Sequence, residues 1–184
     1  QAVRQIGSQP SRAGVAMVLA WRQIALHGDA KTLKSLVGTE LSALASETPA
    51  SDAAGAIMTA EGACLTAALS IAAVRDTYPA RQDASAARGQ LADHAAPVLD
   101  AAGDRLGAEL FDWLAAITGQ AALHLSEQSA TRVPLVRVET GVSLSATRAA
   151  YELYADANRA AELVERNRVA TPALMPVRFE GLAP

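Results

Sequence analysis

The chain has 184 residues, a formal net charge of −3, 51% hydrophobic residues and only 4% aromatics. That length holds one compact domain, or a helical domain plus one small module; much of the apolar share is alanine, which buries little area per residue, so stability must come from many contacts or from neighbouring subunits. The acidic balance argues against a general nucleic-acid binder, whose phosphate contacts need a basic surface, and a single cysteine, Cys64, excludes an intrachain disulfide and a cysteine-based zinc cage.

Residues 1–11 lack the basic-then-apolar pattern of a signal peptide. The start at Gln1 leads to the expectation that the numbering begins inside a longer polypeptide, after an N-terminal domain. Ser11 is placed to cap a helix running to about His27, with Val15, Val18, Leu19, Trp21 and Ile24 as apolar positions. Gly28-Asp29 stops it, and a second helix over 30–45 carries Leu33, Leu36, Val37, Leu41 and Leu44 at helical spacing. After the break at 48–52, with Asp52 as the expected N-cap, a helix over 53–77 is apolar on more than one side and should be buried on most faces. Within it Cys64 reads as an inert core thiol. Asp52, Glu61 and Arg75 interrupt this most apolar region, so no membrane-spanning segment is expected.

Pro79 is expected to end that helix, and residues 82–85 restart another with Leu91, Ala95, Val98 and Leu99 inward, a kink or break at Pro97 and punctuation at Gly103. From Asp104 the spacing of Leu106, Leu110, Trp113, Leu114, Ile117, Ala121 and Leu125 predicts an amphipathic helix, with Asp104, Arg105, Glu109, Asp112 and Gln120 on its polar side. These helices read as antiparallel neighbours joined by short loops.

After Ala130 the pattern changes. Residues 135–139 alternate like a half-exposed strand, Gly141 supplies a turn, and Ser143 is the expected N-cap of a helix over 144–154. Asp156 caps a short helix over 157–166 with Ala160, Leu163 and Val164 inward. A proline-bracketed loop follows, and residues 177–180 form a closing strand that pairs with the first. The expected fold is mostly α, with an Ala-rich helical domain at 1–130 and a small βααβ module at 133–182.

Strand, Gly turn, helix, Tyr154-x-Asp156 link, helix ending at Asn167, proline loop and strand together resemble the LysM module. Residues 154–167, followed by Pro172 and Pro176, are similar to the C-terminal end of the DNA circularisation proteins of Mu-like contractile-tailed phages, which carry a "YGDA-RA-EL-RN" signature. The helical stretch from Arg75 to Leu125 resembles the Ala/Leu-rich part that precedes this signature. The resemblance implies a structural protein of the phage tail baseplate or hub, present in several copies in the virion, assembled in the host cytoplasm and docked on other tail proteins. It also names two alternatives, a peptidoglycan-binding module on a helical spacer and a DNA-end-binding protein. Against the first, the turn has Val142 where sugar-binding LysM modules carry an acid, and neither loop of the module has an aromatic for sugar stacking.

No residue pattern reads as catalytic, and neither a metal nor a cofactor is expected. His27, His94 and His124 lack metal-ligand spacing, and the acids Glu61, Asp93, Asp100, Asp104, Glu109 and Asp112 are scattered as on solvated helix faces. The glycines at 103 and 107 do not begin a phosphate loop. Arg137, Arg148, Arg159, Arg166, Arg168 and Arg178 are offset by Glu152, Asp156, Glu162 and Glu165. That mixed surface suits docking to protein more than DNA-backbone contact, with Tyr154, Asp156, Arg159, Arg166, Asn167 and Arg178 as the expected docking residues.

Overall fold

A computed structural model describes residues 10–184, with side chains from Leu19 onward. The capping expected of Ser11 and the apolar roles of Val15 and Val18 lie outside the described side chains. The fold is mostly α: among the described residues there are seven helices and one two-stranded antiparallel sheet. The chain divides into two compact units, residues up to 78 with 84–129, and residues 79–83 with 130–184.

The helical unit is built from α1 (Pro10–His27), α2 (Ala30–Ser46), α3 (Asp52–Arg75) and most of α4 (Arg81–Arg105) and α5 (Ala108–Thr131). Asp29 caps α2 by accepting from Thr32 N at 2.8 Å. On α2 only Leu33, Val37 and Leu41 are buried, whereas Leu36 is 51% exposed. α3 is the central element, with every residue from 62 to 70 buried. It gathers Leu33, Val37 and Leu41 of α2, Leu91 of α4 and Ala121 and Leu125 of α5 around its own Leu65 and Leu69. Gly62 permits this approach, since a Cβ there would lie 3.3 Å from Val98 and 3.4 Å from Leu44. Arg75, at the end of α3, donates to the carbonyls of Ala25 and Gly28, satisfying the open C-terminus of α1.

Several expectations are corrected here. The cap of α3 is Ser51, which accepts from Ala54 N, and Asp52 is already in the first turn. α3 ends at Arg75 with Asp76 as C-cap, before Pro79 acts. Its Ile57 and Val74 point outward, 64% and 36% exposed. α3 is also long and apolar enough by length and composition to cross a bilayer, because alanines raise its hydropathy and Glu61 alone interrupts its middle; 67% of its most apolar stretch is buried within the protein. Core burial accounts for that apolar sequence. α4 runs through Pro97 and Gly103 without a break, held by buried Leu91 and Ala95 before the proline and Ala102 after it. The stop is Gly107, at φ +92°, a conformation that favours glycine. Asp104 and Arg105 therefore belong to α4, and α5 buries Leu114, Thr118, Ala121 and Leu125 while Trp113 is 42% exposed.

The C-terminal unit contains β1 (Leu135–Glu139), α6 (Ala146–Tyr154), a 3-10 turn (Ala157–Arg159), α7 (Ala160–Arg166) and β2 (Arg178–Leu182). The strands pair with Leu135 opposite Leu182 and Glu139 opposite Arg178. Ala146, Ala149, Ala150, Leu163, Met175 and Phe179 form the core. Ser145, not Ser143, caps α6; Ser143 Oγ instead donates to Met175 O at 2.7 Å. The closing strand starts one residue later and ends two residues later than its residue pattern suggests, its outer groups at Glu180 and Leu182 being held by Asn167 and Tyr154. Residues 79–83, assigned by sequence to the helical domain, group with this unit. Arg81 N donates to Val133 O at 2.9 Å, and Gln82 and Asp83 supply the contacts described next.

Candidate functional site

The residues expected to dock partners lie where α6 turns into α7. Ala155 adopts a left-handed conformation at φ 56°, which reverses the chain after Tyr154, and Asp156 accepts from Asn158 N at 2.9 Å to start the 3-10 turn. The Arg159 guanidinium then stacks on the Tyr154 ring, 3.5 Å from its centroid. The Tyr154 hydroxyl accepts from Leu182 N at 2.8 Å. Burial raises the pKa of this phenol, so it stays protonated. The strand approaches so closely here that a Cβ at Gly181 would meet Leu153 Cδ2 at 2.5 Å and the Tyr154 hydroxyl at 2.9 Å.

Arg159 and Arg166 converge on one carboxylate. Glu162 accepts from Arg159 Nη2 at 2.6 Å and faces Arg166 Nε at 3.8 Å, while Arg166 Nη1 reaches Asp83 at 3.4 Å. The Arg166 side chain is only 10% exposed. Glu162 Oε1 and Arg166 Nε are buried without hydrogen-bond partners, so attraction between the two charges is their compensation.

Two primary amides flank the sheet. Asn167 donates to Glu180 O at 2.8 Å and accepts from Glu180 N at 2.8 Å, while its Nδ2 also donates to Leu163 O. On the other strand Gln82 accepts from Leu135 N at 2.8 Å and donates to Leu135 O at 3.4 Å. A primary amide offers one acceptor and two donors, so it can occupy both backbone groups of a single residue.

The six expected residues thus divide. Tyr154, Arg159, Arg166 and Asn167 are brought together, with Glu162 and Gly181, into a network that ties α6, α7 and β2. Asp156 caps its turn, and Arg178 is 71% exposed, paired with Glu139 across the sheet at 3.1 Å. All six therefore have partners within the chain, and Arg178 is the one whose side chain stands mostly outward. Sequence reading missed Glu162, treated only as an offsetting charge; its spacing of three from Arg159 and four from Arg166 is the local signal. Gln82 and Asp83 carry no such signal.

The loop after β1 and the loop before β2 lie side by side, joined by Thr140 N to Val177 O at 3.0 Å and Met175 N to Leu144 O at 2.8 Å. They leave Val142 62% and Leu174 65% exposed at their tips.

In the helical unit, Lys34 pairs with Asp76 at 2.5 Å and donates to the Tyr78 hydroxyl at 3.0 Å, which donates to Ala73 O. Burial works to lower the Lys34 pKa, but hydrogen bonds to Asp76 and Tyr78 outweigh it and hold it above the ordinary lysine value. Burial raises that of Tyr78. Both groups stay protonated, which suits a structural tie and not a nucleophile or base. Burial likewise raises the Cys64 thiol, keeping it unreactive. Among the described residues, no three His, Cys, Asp or Glu side chains are arranged to hold a metal ion.

The same unit has a groove of about 690 Å³ between α2, α3 and α4. Leu41, Leu44, Met58 and Val98 line its depth, and Glu47, Asp93, Asp100 and Asp104 stand at its exposed rim.

No protein-family model matches the chain, and no curated protein matches it.

Proposed function

We propose that this protein is a non-enzymatic assembly component of the phage-tail baseplate or hub kind, docking onto neighbouring proteins, with its C-terminal unit acting as a clip. The observation that carries the reading is how the C-terminal unit uses its side chains. The polar groups of 154–167 are engaged internally and stiffen the module, while Val142 and Leu174 stand out at the tips of two bonded loops. Apolar tips on a rigid scaffold suit a protein contact, where they can enter a partner's pocket without an ordering cost. The resemblance of residues 154–167 to tail proteins supplies the kind of assembly.

The mechanism in this reading is fit: the core of each unit fixes its shape, and exposed side chains meet adjoining subunits. Cross-linking mass spectrometry on purified tail particles is the test. The chain should cross-link to other tail proteins, and Val142→Asp with Leu174→Asp should remove it from particles while leaving it folded. Absence of the wild-type chain from purified tails would overturn the proposal.

A further inference from the structure

We infer that the groove between α2, α3 and α4 receives a cationic amphipathic helix from a partner protein. This goes beyond the assembly role proposed above and stands on the helical unit alone. The groove is a trough, not a hole. Its α4 wall is formed by residues 93, 97, 100, 101 and 104, a single helical face. At 1.5 Å per residue that wall is about 17 Å long, three helical turns. On α3, Gly55 and Gly62, two turns apart, let the neighbouring side chains come close to the helix, since a Cβ at Gly55 would meet the Arg105 guanidinium and one at Gly62 would meet Val98 and Leu44. The apolar depth suits one hydrophobic stripe of an inserted helix.

Charge selects the occupant. Four carboxylates, Glu47, Asp93, Asp100 and Asp104, line the groove against one guanidinium, Arg105. None of the four makes an ion pair among the described residues. Three of these unpaired acids share α4 and the fourth, Glu47, ends α2 across the groove, so together they complement lysines or arginines flanking an apolar stripe. A small polycation would satisfy the acids and leave the apolar depth wet, so a helix is favoured.

The test is fluorescence anisotropy of the full chain with a labelled Leu/Lys amphipathic helical peptide, its Leu/Glu counterpart and spermidine. The Leu/Lys peptide should bind and the Leu/Glu peptide should not. Two variants carry exposed changes only, Ala45→Trp to block the trough and Asp93→Lys/Asp100→Lys/Asp104→Lys to reverse its rim. Each should weaken Leu/Lys binding by about tenfold or more. Absence of binding, or equal binding to the Ala45→Trp variant, would overturn the inference, the latter as mere adsorption to acidic surface. Displacement of the peptide by equimolar spermidine would also overturn it, in favour of a small polycation.

Discussion

The two units hold together by different means. The helical unit closes a core of alanines and leucines around α3, and its polar ties, Lys34 to Asp76 and Tyr78, and Arg75 to the end of α1, lie at its margins. The C-terminal unit has a small core of six buried residues and runs a polar network through its middle. The contrast follows from size. A unit of about 60 residues buries too small a fraction of its apolar surface to rely on it alone, so directed bonds and a close glycine contact fix its form.

Removing a charge from the middle of that network should break the contrast most visibly. Arg166→Ala leaves Asp83 without its cation and Glu162 with Arg159 alone, and we expect a loss of about 3 kcal/mol by urea unfolding, below the largest values because both acids are partly solvated and Glu162 keeps one partner. Arg148→Ala, which severs an exposed pair with Glu152, should cost less than about 0.5 kcal/mol. Equal effects would mean that burial of Arg166 adds nothing.

Glycine substitutions sharpen the comparison. Gly181→Ala forces a Cβ against Leu153 and Tyr154 and should destabilise by about 2 kcal/mol. Gly89→Ala, on an exposed turn of α4 with nothing within 4 Å, should stabilise by about 0.5–1 kcal/mol. Thermal melts that move both variants in the same direction would contradict this. The core of the helical unit has one polar blemish. The Thr66 hydroxyl is fully buried and has no partner, so Thr66→Val should raise stability by about 1 kcal/mol in the same assay.

The smallest effect is a pH dependence. Lys34 and Tyr78 each hold their proton more tightly folded than unfolded, having pKa values raised above 10.5 and 10.0. Their contribution is complete below those ordinary values and is lost as pH rises through the folded ones. Melting temperature should therefore begin to fall as pH rises above about 10, with a shallower fall in Lys34→Met. An unchanged slope in that variant would remove the tie from the account.

What was legible in the sequence was local. Alternation at 135–139 marks β1, and helical spacing marks Leu33, Val37 and Leu41. Caps slipped by one or two residues where neighbouring side chains are all competent to cap: Ser51 and Asp52, or Ser143 and Ser145. A long-range bond from Ser143 to Met175 decides the second case, and no local rule contains it. Pro97 misled because tertiary packing on both sides outweighs one missing backbone bond. In the candidate site, residues 154–167 were visible as a cluster, but their inward use was not, since Gly181, Gln82 and Asp83 come from distant segments. Ala155 adds a local point: its backbone is left-handed, a conformation that favours glycine, and an alanine gives no sign of it in the sequence.

The amides of Gln82 and Asn167 have one more consequence, for the lifetime of the protein. Each occupies backbone groups that an incoming strand would otherwise take, so the short sheet stops at two strands. Asn167 does this with a group open to slow hydrolysis. Deamidation would replace a donor by a carboxylate oxygen facing the carbonyls of Glu180 and Leu163, turning attraction into repulsion. One ageing event at Asn167 would then both loosen α7 from β2 and uncover a strand edge for other chains to extend.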